Sequence, residues 1–213
     1  DADLLGGANL LMVGDELLQF GHAEPVGAGR WRLTRLLRGR LGTEDAMAGL
    51  AIGQGVARAD DPALLPLPAT VGLAPVEAGS IIAVEGVADD LPVERIVSGA
   101  GRALRPLSPV QLTARWQDDG GLLIAWIARS RAGFDWPDGR DVPPDAAPHR
   151  WRIDLAAGAQ NATAYSEAPQ WALAAADVLA WRSEGPALTV AVRQIGARAT
   201  SLATTLIVAL PPT

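Results

Sequence analysis

The segment from residue 14 to residue 45 decides the fold, and it reads GDELLQFGHAEPVGAGRWRLTRLLRGRLGTED. Short apolar runs alternate there with turns rich in Gly, at positions 13–16 and again at 26–29. Within 30–37, Trp31, Leu33 and Leu37 fall on one side of a two-residue alternation, with Arg30, Arg32 and Thr34 on the other side. That pattern is typical of a strand with one buried face. The segment therefore predicts antiparallel strands over 9–13, 16–21 and 30–37, with turns at the Gly clusters and at Glu24-Pro25.

A loop with the sequence RGRLGTE follows the third strand at 38–44. Its two glycines permit a tight left-handed path, and Thr43 or Asp45 is placed to cap a short helical turn over 45–50. We expect Arg38, Gly39, Arg40, Gly42, Thr43 and Glu44 to form a structural loop.

Five arginines lie between positions 30 and 40. They indicate either a nucleic-acid patch or ion pairs with nearby carboxylates, which are Asp15, Glu16, Glu24, Glu44 and Asp45. Forked hydrogen bonds to carboxylates would fix the loop geometry. The second interpretation is favoured because the net charge is −6 and no series of aromatic residues accompanies the arginines.

The composition is that of a folded protein with enough apolar residues for one or two cores. The chain has 213 residues, 49% of them hydrophobic, and contains no Cys, so a disulfide framework and a thiolate metal site are excluded. The first residues do not have the pattern of a signal peptide. No apolar run approaches the ~20 residues that span a bilayer. We expect no membrane anchor, and the acidic balance argues against nucleic acid as the main partner.

The remainder of the first hundred residues predicts further short strands over 53–59, 65–73, 80–87 and 91–97. Ile81, Ile82 and Val84 suggest a buried strand among them. No helix of ordinary length is predicted, so residues 1–103 are expected to form a compact antiparallel β domain. Gly and Pro are frequent between 98 and 109, which places a domain boundary there and a second domain at 104–213.

The second half predicts a sandwich of two sheets. Strands are expected over 110–116 and 202–210, with a turn at 118–121. Three inward-facing sets alternate between them: Leu122, Ile124 and Trp126; Trp151, Ile153 and Leu155; Leu188, Val190 and Val192. Residues 172–180 have helical propensity, but a strand over 170–174 followed by a loop is preferred inside a sandwich. The predicted fold class is all-β.

Two resemblances refine this interpretation. The runs Leu-x-Ile-x-Trp at 122–126 and Trp-x-Ile-x-Leu at 151–155 resemble the second and third strands of a fibronectin type III domain, whose buried Trp packs between the sheets, a role that passes to Trp126. The Tyr usual before the apolar pair of the sixth strand is Leu188 here, so its corner hydrogen bond is missing.

The second resemblance is to the distal part of phage-like tail-tip (baseplate hub, host-specificity) proteins, of the kind also found in gene transfer agents. It is carried by Glu16, Leu17, Phe20, Gly29, Trp31, Leu33, 36–40 and 42–44, and continues through 104–110, 129–133, Trp136 and 138–139.

The tail-tip resemblance implies a structural and adhesive part of a particle, without catalysis or a cofactor. Its implied partners are other tail or baseplate proteins and a host cell-surface glycan, and it implies an oligomeric setting in a particle tail that is assembled in the bacterial cytoplasm. Two alternatives stay open. One is a carbohydrate-binding module or glycan hydrolase domain acting on cell-envelope sugars. The other is a secreted or cell-surface adhesion module.

Candidate reactive residues are sparse. His22 and His149 lie in different predicted domains, and no Gly-x-Ser-x-Gly elbow or metal-ligand spacing accompanies them. The adjacent pairs Asp15-Glu16 and Asp118-Asp119 sit at predicted turns, where Asp is favoured for local hydrogen bonding. Neighbours on a strand also point to opposite faces, so neither pair is expected to converge on one bond.

The segment 129–148 is long for a sandwich connection and is the candidate recognition loop. It contains Phe134, Trp136, Asp138 and Arg140. Loops are where such scaffolds place recognition, and exposed aromatic rings beside charged groups can stack on sugars or fill a pocket of a partner. The other interpretation is that Phe134 and Trp136 cover the edge of the sandwich, since Trp is highly buried on average.

Overall fold

The computed structural model describes residues 2–64, 80–87, 90–97, 102, 105–130, 150–197 and 199–211. The chain divides into two compact units, which we call unit 1 (1–104) and unit 2 (105–213). Both are dominated by antiparallel strands, so the all-β fold class is confirmed. The boundary between Leu104 and Arg105 is defined by contacts within the chain, because the residues on each side form a compact cluster. The predicted domains 1–103 and 104–213 stay a prediction.

Unit 1 is built on a four-stranded sheet with the order β3-β2-β1-β4. Its strands are β1 Leu10–Val13, β2 Glu16–Gly27, β3 Arg30–Leu37 and β4 Val56–Arg58. Helix α1 (Ala2–Leu5) precedes β1, and two 3-10 helices, Arg40–Gly42 and Glu44–Gly49, follow β3. A separate two-stranded sheet pairs β5 (Ser80–Val84) with β6 (Val93–Val97). The predicted strand at 65–73 lies outside the described residues.

Glycine sets the turns of the main sheet. Gly14 has a φ of 56° between the paired ends of β1 and β2, and Gly29 has a φ of 66° before β3. The predicted turn at Glu24-Pro25 is wrong, because β2 continues through Pro25, which pairs with Trp31. The ladder shifts register between Pro25 and Gly27. Pro cannot donate to a ladder and is confined to edges and irregular positions, so this bulge accommodates it.

The apolar face predicted for β3 is exposed rather than buried. Trp31 is 63% exposed and Leu37 is 39% exposed. β3 is an edge strand that pairs only with β2 among the described strands, so the alternation correctly marks a face but nothing in the described part of unit 1 buries it. The prediction that Ile81 and Val84 are buried is wrong for the same reason, since they belong to a two-stranded sheet and are 60% and 65% exposed.

The described residues of unit 2 form a sandwich of two sheets with seven strands, and the predicted sandwich is confirmed. The strands are β7 Val110–Trp116, β8 Leu122–Ile127, β9 Arg150–Ala157, β10 Gln160–Ser166, β11 Gln170–Leu173, β12 Ala187–Ile195 and β13 Thr204–Ala209. The sheet orders are β11-β8-β7 and β10-β9-β12-β13. The first, second and fifth strands thus form one sheet and the other four form the second, which is the arrangement of a fibronectin type III-like sandwich.

The three predicted inward-facing sets form the core of unit 2. Ile124, Ile153 and Val190 are fully buried, and Trp126 contacts Trp151 edge-to-face with ring centroids 5.8 Å apart. The packing role assigned to Trp126 is therefore confirmed. Leu188 is also fully buried, so the position that carries Tyr in the related family is a core position here.

A helix replaces the predicted loop between β11 and β12. Strand β11 confirms most of the predicted 170–174 strand, but α2 then runs over Ala175–Glu184 and buries Val178 and Trp181. Its Ala content gives this segment helical propensity, and that local preference prevails over the preference for strands and loops in a sandwich. Gly158 has a φ of 55°, and a Cβ there would lie 2.5 Å from the Glu184 carbonyl oxygen, so the β9–β10 turn requires glycine.

Candidate functional site

The predicted recognition residues lie outside the described part of the chain. Phe134, Trp136, Asp138 and Arg140 fall within 131–149, between β8 and β9, so their role stays a prediction. The predicted structural loop at 38–44 is described in full, and the structure explains why its residues occur together.

Glu16 and Arg38 form a forked ion pair at the centre of unit 1. Arg38 Nε donates to Glu16 Oε1 and Arg38 Nη2 donates to Glu16 Oε2, both at 2.6 Å. The backbone N–H of Gly39 donates to Oε1 at 2.9 Å, and Arg38 Nη2 also reaches the Met47 carbonyl oxygen at 2.8 Å. Glu16 is fully buried. This pair confirms the carboxylate interpretation for Arg38 and ties the start of β2 to the loop.

The hydrogen bonds from Arg38 hold the pKa of the Glu16 carboxyl below its ordinary value, with the Gly39 N–H acting in the same direction and burial opposing both. Removing a buried charge from water is costly unless it is paired and hydrogen-bonded. Glu16 meets that condition, so it is ionised in the folded chain. It therefore serves as a structural anchor and is not a proton donor at neutral pH.

Thr43 forms the second tie between the loop and β2. Its hydroxyl accepts from the Leu17 N–H at 3.0 Å and donates to the Arg40 carbonyl oxygen at 2.8 Å. Thr43 occupies the N-cap position of the second 3-10 helix, but its side chain makes no cap hydrogen bond. The predicted capping role is wrong, because the hydroxyl is used by β2 and by Arg40.

The backbone of the loop follows the left-handed path expected from its glycines. Gly39 and Gly42 have φ values of 61° and 86°. A Cβ on Gly39 would lie 2.8 Å from Met47 Sδ and 3.0 Å from Glu44 Cα, so space as well as conformation requires glycine there. Leu41 adopts a φ of 56°, which costs energy for a residue with a side chain.

Gln19 and Asn9 anchor the N-terminal segment to the same sheet, a function that the sequence pattern did not indicate. Gln19 is fully buried, and its Nε2 donates to the carbonyl oxygens of Leu4 at 2.7 Å and Ala8 at 2.8 Å. Asn9 Nδ2 donates to the Phe20 carbonyl oxygen at 3.0 Å. The alternation of residue types along β2 places Gln19 on one face of the strand. The pattern does not indicate that this polar side chain is buried against polar partners.

Other arginines of unit 1 also pair with carboxylates. Arg32 lies 3.7 Å from Glu24 with both side chains more than half exposed, and Arg102 lies 3.4 Å from Asp45. The exposed Arg32–Glu24 pair contributes little to stability, whereas the side chains of Arg102 and Asp45 are only 26% and 29% exposed. The contrast with Glu16 identifies the Arg38 pair as the structural anchor.

In the described part of unit 1, few large apolar side chains are buried and many are exposed. Among its described residues, Leu11 and Leu18 are the buried hydrophobic side chains. The large exposed ones include Trp31, Leu36 and Leu37 on β3 and, on the separate hairpin, Ile81, Val84, Val93 and Ile96. Contiguous exposed apolar side chains are a feature of surfaces that are buried in an assembly.

The outer face of the four-stranded sheet in unit 2 carries a second polar cluster. Tyr165, Arg152 and Arg193 occupy paired positions on β10, β9 and β12, and we call these three residues the arginine row. Asp154 Oδ1 accepts from Arg152 Nε at 2.7 Å and Asp154 Oδ2 accepts from Arg193 Nη1. The guanidinium carbon of Arg150 lies 4.7 Å from the centre of the Tyr165 ring. Nothing in the sequence alternation singled out this row.

The carboxyls whose pKa departs from its ordinary value in the described residues are Glu16, Asp60 and Asp154, and each pKa is lowered. Burial opposes this at Asp60 and Asp154, but hydrogen bonds from Arg58 to Asp60 and from Thr163 and Arg152 to Asp154 outweigh it. A general acid in glycoside hydrolysis needs a raised pKa. These three carboxyls therefore do not fit that role.

The predicted turn function of the acidic pairs is supported at one site. Asp119 Oδ1 accepts from the Gly121 N–H at 2.8 Å, which is a local turn hydrogen bond.

In the described ranges, no three His, Cys, Asp or Glu side chains lie together as a metal-binding group. None of the described helices has the length and apolar character to cross a membrane.

Comparison with known proteins gives one family match and several distant structural ones. Residues 1–57 match the family model described as "Rcc01698-like, C-terminal". That segment contains α1, the four-stranded sheet except for Arg58, and the whole Glu16–Arg38–Thr43 network. No curated protein sequence matches the chain.

Among solved structures, the chain is similar to one titled "Myokine structure", with 13% identity and a TM-score of 0.33, over 50% of this chain and 99% of that one. It is also similar to domains d3–d4 of the rat CD45 extracellular region, with 8% identity and a TM-score of 0.36, over 75% of this chain and 90% of that one. A third is the FN1–FN3 domains of chicken CNTN1, with 11% identity and a TM-score of 0.34, over 94% and 65%. The assignment of unit 2 rests on its own strand order.

Proposed function

We propose that this chain is the structural and adhesive C-terminal part of a phage-like tail-tip protein. Unit 1 joins the chain to other tail or baseplate proteins, and unit 2 presents loops toward the surface of a host cell. The particle is assembled in the bacterial cytoplasm, and the chain is oligomeric within it. No cofactor is assigned.

The observation that carries the proposal is the combination of a rigid anchor and an unburied apolar surface in unit 1. The Glu16–Arg38 pair and Thr43 fix β2 to the loop, while Trp31 on β3 stays 63% exposed and Ile96 on β6 stays 74% exposed. Leaving such a side chain exposed forgoes the about 1.5–3 kcal/mol that its full burial contributes. Burial against neighbouring subunits supplies that free energy in an assembly.

Two further points support the proposal. The motif residues Glu16, Arg38, Gly39 and Thr43, on which the tail-tip resemblance rests, belong to one hydrogen-bonded network, so the motif has a structural reason to exist. The glycan hydrolase alternative needs a carboxyl with a raised pKa, whereas the shifted carboxyls of the described residues are all lowered.

The test uses phage-like particles released by the bacterium that encodes the chain. A tagged chain should sediment with the particles on a density gradient. Trp31→Asp together with Ile96→Asp should release it from the particle fraction, because charged side chains replace the apolar contacts. Leu179→Asp is the matched control, since Leu179 is 62% exposed on α2 of unit 2. A chain that never sediments with particles, or a double variant that incorporates as well as the control, refutes the proposal.

A further inference from the structure

We propose that the arginine row on the outer sheet face of unit 2 binds a polysaccharide whose sugars carry carboxylate groups. This rests on the proposed attachment function but concerns residues outside the 131–149 segment. It assigns the class of ligand and the residues that recognise it.

The charge of the cluster is opposite to that of the chain. Arg150, Arg152 and Arg193 lie together with one carboxylate, Asp154, so the cluster has an excess of positive charge on a chain whose net charge is −6. A positive patch attracts anionic partners.

The guanidinium groups are held in place before any ligand arrives. Asp154 uses each of its oxygens to accept from a different arginine, and Thr163 Oγ1 donates to Oδ1 at 2.8 Å. Each guanidinium has five N–H donors, and Asp154 takes one from Arg152 and one from Arg193, whose side chains are 47% and 34% exposed. Preorganised forks of this kind match carboxylate geometry and reduce the entropy lost on binding.

Tyr165 supplies an aromatic surface at one end of the row. It is 51% exposed, it pairs directly with Arg152 across β10 and β9, and Arg150 covers its ring at 4.7 Å. Aromatic side chains combine a large apolar surface with a polar end, which suits the C–H face and the hydroxyl groups of a sugar. Guanidinium N–H donors and an aromatic ring side by side therefore fit a sugar that carries a carboxylate.

The surroundings favour a polysaccharide over an acidic protein. Specific protein interfaces have an apolar core, whereas the positions of this face on the Asp154 side of the row are small or polar, such as Thr163, Ala191 and Thr189. On the other side of the row the face includes the partly exposed Ile195. The row also runs straight across three adjacent strands, which lie about 4.7–4.9 Å apart in a sheet. An extended sugar chain lying across the strands can meet all three side chains.

The test measures binding of the full 213-residue chain to alginate, a polyuronate, with dextran as a neutral polymer, by isothermal titration at about 0.1 M salt. The chain should bind alginate and not dextran. Arg152→Gln with Arg193→Gln should lower the affinity at least about tenfold. The matched control is Arg30→Gln with Arg115→Gln, which removes the same charge from other exposed strand positions and should change the affinity less than about twofold.

Tyr165 separates recognition of a sugar from simple ion exchange. Tyr165→Ala should weaken alginate binding several-fold, while Tyr165→Phe should retain most of it. The proposal is overturned if alginate does not bind, if the two double variants behave alike, or if polyphosphate binds as well as alginate and Tyr165→Ala has no effect. Circular dichroism checks that each variant is folded.

The same variants separate this inference from the proposed function. If the Arg152→Gln, Arg193→Gln chain enters particles and the particles adsorb to cells as before, the proposed function stands and this inference fails. If the chain binds alginate through the row but never enters particles, the inference stands and the proposed function fails.

Discussion

Replacing Glu16 by Gln is the sharpest probe of the anchor in unit 1. The carboxylate accepts three hydrogen bonds, two from Arg38 and one from the Gly39 N–H, and each bond to a charged group contributes about 1.5–3 kcal/mol. The Gln amide has one acceptor oxygen and one NH2 group, so at least one donor of the set must face another donor. The bonds that survive become neutral ones of about 1 kcal/mol each.

The loss is reduced because a neutral amide costs less to bury than a carboxylate. We therefore expect Glu16→Gln to lower the free energy of unfolding of unit 1 by about 2–3 kcal/mol. The matched control is Glu24→Gln on the same strand. Its partner Arg32 lies 3.7 Å away and both side chains are more than half exposed, so its effect should be below about 0.5 kcal/mol.

Hydrogen exchange of the β2 amides, followed by mass spectrometry at increasing urea, reports the opening of unit 1 separately from the sandwich.

The same assay at different pH gives a second check. The pKa of Glu16 is lowered from its ordinary value of 4.5 in the folded chain, so its stabilising effect is present above pH 4.5 and is lost as the pH falls through the folded pKa. The difference between the original chain and Glu16→Gln should therefore shrink below pH 4.5. Equal effects of Glu16→Gln and Glu24→Gln at pH 7 would refute the anchor.

Three other predictions concern the loop, the sandwich core and the recognition segment. Gly39→Ala should destabilise unit 1 by about 2 kcal/mol or more, because Gly39 has a left-handed φ and its new Cβ would contact Met47. The control is Gly29→Ala, which also has a left-handed φ but open space around it, so it should cost only the ~1 kcal/mol of the unfavourable backbone conformation. Equal losses for the two variants would contradict the packing argument. Trp126→Ala should cost about 3–5 kcal/mol in urea unfolding of unit 2, and a loss below 1 kcal/mol would contradict its place in the core. Alanine at both Phe134 and Trp136 should reduce adsorption of particles to cells or glycans while leaving the circular dichroism unchanged, and normal adsorption would remove that site.

The sequence alone predicts the strands well because alternation is a local property. The predicted 30–37 and 110–116 strands coincide with β3 and β7, and the inward-facing sets of unit 2 are buried because a second sheet covers them. Alternation does not say what covers a face. This is why Trp31 was expected inside and lies exposed.

Buried polar contacts between distant residues, and the local propensity of α2, explain the remaining differences between the predicted and the observed structure. Glu16 and Gln19 are fully buried, yet their partners lie 22 residues ahead at Arg38 and 15 residues behind at Leu4, and no periodicity reveals such pairs. The glycines at 38–44 predict a tight loop and the arginines predict ion pairs with carboxylates, but the sequence does not identify Glu16 as the partner of Arg38 or Leu17 as the partner of Thr43. For α2, local propensity was correct and the assumption that a sandwich contains only strands and loops was wrong.

The position of the chain in the particle tests the central claim most directly. Fab fragments raised against residues 105–213 can be bound to native particles and located by negative-stain electron microscopy. The account predicts label at the end of the tail farthest from the head, and loss of that label from particles made by cells in which the Trp31→Asp, Ile96→Asp chain replaces the original chain. Label on the head or along the tail tube, or particles that carry no label while the chain is present in the cell, would contradict it.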